Sequence, residues 1–205
     1  MFYATAERDR ARLPHDPFKA IVAPRPIGWI STRALDGRIN LAPYSFFNGF
    51  CSAPPIVGFS SEGWKDSASF ARESGEFVAN LATHELRGPM NETSAPLARG
   101  DNEFSHVGLT MAECHMVAAP RVAESPAALE CKVVHVLEIK SVSGEPTGAV
   151  LTLGEVVAFH IDERFVVAGR FDTARAHSLA RCGYQDYAVV DKVFAITRPK
   201  GGGGI

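Results

Sequence analysis

The chain has 205 residues, with 21 Lys and Arg against 23 Asp and Glu, and 46% of it is apolar. A chain of this length buries roughly 70% of its extended surface on folding, enough for a core without disulfides or structural metal. The near balance of charge excludes the basic field that nucleic acid or an acidic membrane surface requires, and directs attention to a small-molecule partner.

Short strands punctuated by Gly, Pro and Asp-Gly dominate the first half. Residues 27–35 and 38–46 read as strands around Asp36-Gly37, a dipeptide that suits a two-residue type I′ hairpin turn. Further strands are expected over 54–61 and 76–83, with a helix between them that opens near Asp66 and stops at Gly75. Residues 84–95 read as a turn or two of helix interrupted at Gly88-Pro89, and 96–125 as an irregular excursion with short elements.

Period-two alternation is clear in 129–140. Leu129, Cys131, Val133, His135, Leu137 and Ile139 share one face, and Glu130, Lys132, Glu138 and Lys140 the other. Residues 148–161 are the expected hairpin partner. A helix is predicted over 173–184, ended by Gly183, and a last strand over 191–199. The closing GGGGI reads as a tail. Many antiparallel strands with a few helices indicate a mainly β, closed or partly closed barrel in one domain.

The N-terminus lacks the basic-then-apolar order of a secretory signal, and no window is long and apolar enough to span a bilayer. Cys51, Cys114, Cys131 and Cys182 are scattered with no C-x-x-C pair, and Cys51 and Cys131 read as small buried side chains. A cytoplasmic location fits these features. Dinucleotide-binding G-x-G-x-x-G, P-loop, H-E-x-x-H and G-x-S-x-G motifs are all absent, and the seven histidines show no metal-ligand spacing. No metal is expected, and any chemistry would come from a borrowed cofactor.

The segment 24–70 is rich in hydroxyl and amide groups for core sheet. Ser31, Thr32, Asn40, Ser45, Asn48, Ser60 and Ser61 interrupt runs of aromatic and aliphatic residues. Buried polar groups need partners, which a planar heteroaromatic ligand with a hydroxylated, phosphorylated tail would supply. Strand polars facing water explain each one singly as well. Lys65, Asp66 and Ser67 open a helix, where unpaired N–H groups suit phosphate, although a plain cap with a solvated lysine accounts for them too.

In PRPIGWIST, DGRINLAPYSFFN, PPIVGFSS, KDS, GEFVANL, MNETSAP, RVAESPAALEC, LGEVVAFHID and GYQDYA, taken in order, the chain closely resembles the flavin reductase-like family with an FMN-binding split barrel. The resemblance covers about 15–199. It implies a six-stranded Greek-key split barrel and a homodimer with FMN near the subunit interface. By motif, Trp29, Ser31 and Thr32 would line the flavin and its tail. Asn40, Ala42, Pro43, Tyr44, Ser45 and Asn48 would contact the ring edge and ribityl chain. Ser60, Lys65, Asp66 and Ser67 would surround the phosphate, and Gly183 and Tyr184 would approach the flavin from the C-terminal motif. The implied activity is hydride transfer from NAD(P)H to FMN, with electrons passed to a downstream acceptor. No catalytic side chain is assigned; His160 and His177 are candidate proton donors, against the commoner reading of a lone histidine as structural or exposed. A flavoredoxin-like electron carrier without direct NAD(P)H activity, or an FMN oxidoreductase acting on a small organic substrate, would use the same contacts.

Overall fold

The computed structural model describes residues 1–97, 101–197 and 199. Its main sheet has seven strands: β1 (Gly28–Arg33), β2 (Ile39–Tyr44), β3 (Phe47–Ser52), β4 (Pro55–Glu62), β5 (Glu76–Leu81), β6 (Ala127–Lys140) and β7 (Pro146–Ile161). They lie in the order β2-β1-β5-β6-β7-β4-β3, every neighbour antiparallel. β2 and β3 occupy opposite edges of this order, yet only residues 45–46 separate them in sequence. So short a link forces the sheet to curl until its edges approach, and Ser60 N–H donates to Phe46 O across that corner at 2.8 Å. The two edges do not pair with each other, which makes this a split barrel. The seventh strand, one more than the resemblance implies, is β3, which lies between the strands expected over 38–46 and 54–61 where none is expected from the sequence.

Alternate residues point inward and close the core. Ile30, Tyr44, Val57, Phe59, Phe77, Ala79, Cys131 and Val156 form it, capped by Ala71 of a helix over Asp66–Ser74. A second cluster lies on the outer face, where Trp29, Leu41, Met90, Phe104, Val122 and Leu179 pack together. It is covered by helices α3 (Arg87–Glu92) and α4 (Glu103–Val107), which follow α1 (Phe18–Ile21) and α2 (Asp66–Ser74) in the chain. β1 is therefore buried on both faces.

The strap 113–120 crosses the outside of β5 and β6, and outward polar side chains hold it. Glu130 is buried and accepts from the N–H groups of His115 (3.0 Å), Met116 (2.6 Å) and Val117 (3.0 Å). Glu76 accepts from Ala118 (2.5 Å) and Ala119 (3.3 Å), and its other oxygen accepts from Lys132 Nζ at 2.7 Å. Ser31 Oγ donates to Pro120 O at 2.5 Å, and Asn80 Oδ1 accepts from Val122 N–H at 2.8 Å. Glu130, expected on a solvent-facing side with Lys132, is thus fully covered, because the backbone of the strap needs acceptors.

Several expectations are corrected. The loop after β1 has three residues. Gly37 N–H donates to Ala34 O (2.9 Å), Ala34 N–H donates to Arg38 O (2.8 Å), and only Gly37 has positive φ (+90°). This is a type I turn with a bulge, and it spares Asp36 the left-handed conformation that a type I′ turn would impose. The N-cap position of helix α2 is Lys65, not Asp66, and the helix ends at Gly75 with φ +73°, as expected. Gly88-Pro89 sits inside the first turn of α3 and does not interrupt it, because the N–H that proline lacks has no partner there anyway. The predicted helix over 173–184 is replaced by a strand, Ser178–Arg181, which pairs with Arg25–Pro26 on one side and Tyr187–Val190 on the other. Local helix propensity yields here to two waiting strand edges. The strand predicted over 191–199 is Tyr187–Val190 instead; residues 191–197 carry no regular structure. Cys51 is exposed on edge strand β3, whereas Cys131 is buried. Beyond Lys132 β6 no longer pairs with β5, although β7 still pairs with β4, and past the register shift at Val134 Leu137 and Ile139 are exposed despite their alternation. The GGGGI tail lies outside the described residues.

Among the described residues no helix is long and apolar enough to cross a membrane.

Candidate functional site

β2 is an edge strand, so one side of its backbone faces away from the sheet. Pro43 suits such a position because it has no N–H to pair. Leu41 N–H is taken by Glu103 Oε2 at 3.0 Å, which docks α4 against the edge. Between this strand, the start of α2 and the chain after α3 lies a cavity of about 390 Å³. Asn40, Ala42, Pro43, Tyr44, Lys65 and Asp66 line one side, and Thr93, Ser94 and Glu103 the other. Pro43 and Ser94 also border a second cavity of about 230 Å³, walled by Lys19, Arg25, Ser45, Arg181, Cys182 and Tyr184. The two form one groove along the outer edge of β2.

At one end the groove meets the N-terminus of α2. Its cap residue is Lys65, whose side chain makes no capping bond. A lysine cannot accept, so the first-turn N–H groups have no cap acceptor there and an anion would meet them. Asp66 and Glu103 oppose that anion in the same cavity. Burial and the nearby Asp66 and Asp101 push the Glu103 carboxyl up, against the hydrogen bond from Leu41. Asn40 Nδ2 donates to Ser67 Oγ at 2.6 Å, tying the strand to the helix start. Burial also pushes the Tyr44 phenol up, leaving it a neutral hydrogen-bonding group beside the Ser67 and Ser61 hydroxyls.

At the other end Arg25 is buried and acts as a clamp. Its guanidinium donates to Lys19 O (2.5 Å) and Val22 O at α1, and to Cys182 O (2.6 Å) of the C-terminal turn. Gly183 is needed where that turn crosses α1, since a Cβ there would stand 2.4 Å from Ala20 Cβ. Tyr184 is exposed with φ +55°, an uncommon conformation for a tyrosine, and Arg181 holds its carbonyl at 2.5 Å.

Of the residues singled out from sequence, Asn40, Ala42, Pro43, Tyr44, Ser45, Lys65, Asp66 and Tyr184 line the groove. Ser67 and Gly183 are buried directly behind it. Trp29, Ser31 and Thr32 are fully buried beneath it. Trp29 Nε1 donates to Thr93 Oγ1 at 2.9 Å, which positions the groove wall after α3 without exposing the indole. Ser31 is occupied with the strap and Asn80. Asn48 and Ser60 stand on β3 and β4, outside the groove lining. Sequence reasoning missed Lys19, Arg25, Thr93, Ser94, Glu103 and Arg181. Arg25, a lone cation between two prolines in an apolar run, was the one visible signal. Arg181 was hidden by the mistaken helix.

Cys114 and Cys131 stand outside the groove lining, whereas Cys182 borders it. Burial and the Glu130 charge push Cys114 up to about 12, and burial raises Cys131 as well.

Comparison with known proteins places the chain among relatives. It is 32% identical to the uncharacterized protein YwrF of Bacillus subtilis, covering 97% of this chain and all of that one. It is 33% identical to the uncharacterized protein BH2278 of Halalkalibacterium halodurans, covering 87% of each. Nitrilotriacetate monooxygenase component B from Bacillus cereus superposes with TM-score 0.86 at 26% identity, over 96% of this chain and 98% of that one. Flavoredoxin of Desulfovibrio vulgaris shares the fold, with TM-score 0.77 at 21% identity over 88% and 94%. Residues 22–173 match the family described as flavin reductase like domain. That match takes in the barrel, the edge strand β2 and the start of α2, and the chain belongs to the flavin reductase-like domain family.

Proposed function

We propose that the groove binds FMN and that the protein is an NAD(P)H-dependent flavin reductase of the cytoplasm, working as a single-domain homodimer. The observation that carries this reading is the uncapped start of α2 at one end of an elongated groove that runs along an edge strand. It joins a phosphate-sized anion site to a flat, partly apolar wall. FMN, when bound, supplies the capacity to accept hydride from a nicotinamide and pass the electrons on. The residues of the chain hold and orient it. Lys65 and the first amides of α2 meet the phosphate, Asn40 and Ser94 face the polar tail, and Ala42 and Pro43 give a flat surface for the ring. Lys19, Arg25 and Arg181 make the far end positive, which favours charge accumulating on a reduced ring or the phosphates of the donor. Exposed Val134, Leu137 and Ile139 on β6 supply apolar surface for a second copy. The Bacillus cereus neighbour is one component of a monooxygenase, which supports delivery of electrons to a separate partner.

The visible spectrum of the purified protein, recorded before and after anaerobic NADH or NADPH, tests this directly. Bleaching of a flavin spectrum is the expected result and names the donor. A flavin spectrum that persists would instead mark an electron carrier reduced by another protein. Protein that is colourless and takes up no FMN would defeat the reading. Lys65→Ala tests the phosphate end. Losing one charge-assisted contact should weaken FMN by roughly 10-fold, with riboflavin affinity little changed. Equal losses for both ligands would remove the phosphate from this end.

A further inference from the structure

Outside the groove, the strap 113–120 brings three different metal-ligating side chains to one point. Glu130 on β6 pairs with Ala158 on β7, so the Glu130 side chain and that of His160, two residues along, are diagonal neighbours on the outer face. His160 Nε2 lies 2.6 Å from Glu130 Oε1. The strap then delivers Cys114, and the ligand atoms of all three residues lie within 4.8 Å of one another. None of the three lines the groove.

We propose that Cys114, Glu130 and His160 form a site for one divalent cation of the zinc, cobalt or nickel type. Thiolate, imidazole and carboxylate are the mixed donor set such borderline ions take, and three protein ligands leave a fourth position for water or a neighbouring group. His115, whose ring stacks on His160 with centroids 5.6 Å apart, is the adjacent candidate for that position. Charge balances: one carboxylate and one thiolate neutralise a divalent ion, and the thiol proton is released to solvent on binding.

The supporting shell is already built. Glu130 is held by N–H groups of His115, Met116 and Val117, so a cation can enter between Oε1 and Nε2 without freeing the carboxylate, the Nε2 proton passing to Nδ1 as neutral His160 changes tautomer. With metal–ligand distances of about 2.0–2.2 Å, the oxygen and nitrogen need to part by less than about 1 Å. A Cys–His–Glu catalytic relay fits less well. A relay requires the two ring nitrogens of His160 to serve different partners, whereas here Nε2 faces Glu130 at the point where the three groups converge. His160 and Cys114 are partly exposed, which leaves an entry path.

Cobalt(II) titration of chelator-treated protein, followed by difference absorbance and metal analysis, tests the site. The expected result is one cobalt per chain with a thiolate-to-cobalt charge-transfer band that zinc abolishes by displacement. Cys114→Ser should eliminate the band. Cys114→Ser and His160→Gln should each lower affinity by at least about 100-fold, the upper end of what losing a mere supporting partner costs. Absence of binding, or a band unchanged in Cys114→Ser, would overturn the proposal. A readout on unaltered protein guards against variants that fail to fold: cobalt or zinc should slow alkylation of Cys114, located by peptide mapping. Alkylation at the same rate with and without metal would also overturn it. Flavin uptake is read separately, so failure here leaves the groove assignment standing.

Discussion

Arg25→Met is expected to destabilise the protein by about 3 kcal/mol and to weaken FMN binding along with it, as hydrogen bonds to a charged group contribute roughly 1.5–3 kcal/mol each and are not additive. For a chain of this size that corresponds to a fall in thermal midpoint of roughly 6–12 °C. The guanidinium is the common partner of α1 and the C-terminal turn, through the carbonyls of Lys19, Val22 and Cys182. Methionine fills similar space and offers no donor, so those carbonyls lose their partner and the two walls of the groove lose their link. Arg25→Lys keeps the charge but cannot fork towards both walls, and should fall between wild type and Arg25→Met. Thermal denaturation beside FMN titration checks this. A stable variant with wild-type FMN affinity would show that the clamp is dispensable.

Glu130→Gln should destabilise by a similar amount, about 3 kcal/mol, because buried charge-assisted bonds are lost and the amide NH₂ is turned towards backbone donors. Burial acts to raise this carboxyl, but the His115 and Met116 N–H groups and His160 outweigh it and hold it below its ordinary value of 4.5. The sign follows. A carboxylate lowered in the folded state contributes stability above about pH 4.5, and that contribution is lost as pH falls through the lower folded value. Wild type should therefore lose stability in that acid range more steeply than Glu130→Gln, with the strap 113–120 releasing first. Denaturant unfolding across pH, with proteolysis to locate the release, measures it. Parallel pH dependences would mean that another carboxylate governs the acid limb.

Much of the barrel was legible because a strand's period of two leaves a direct trace in sequence. The strands over 55–62, 76–81, 127–140 and 146–161 all stand where alternation and turn residues put them, within two residues at most ends. The groove was legible in part. The motif around Asn40–Ser45 and Lys65–Asp66 does line it. Trp29, Ser31 and Thr32 belong to the preceding piece of the resemblance, PRPIGWIST, but alternation along β1 buries them on both faces of a covered strand. Ser178–Arg181 shows the converse failure: its local composition favours a helix, and only the edges of Arg25–Pro26 and Tyr187–Val190 make it a strand.

Sequence alone determined a mainly β chain, without a basic field for nucleic acid, whose ordered motifs belong to flavin reductase-like proteins. Local propensity, periodicity and turn chemistry act over a few residues, and those features need nothing more. Tertiary structure alone decided which polar groups face what. Alternation puts Glu130 on a polar strand face with Lys132, and only the strap's backbone N–H groups make it, like Glu76 on the neighbouring strand, a covered acceptor. Arg25 met the C-terminal turn 157 residues away, and Cys114, Glu130 and His160 converged from three separate segments. Such meetings depend on how the sheet curls and where the excursion lands, and no spacing along the chain encodes them.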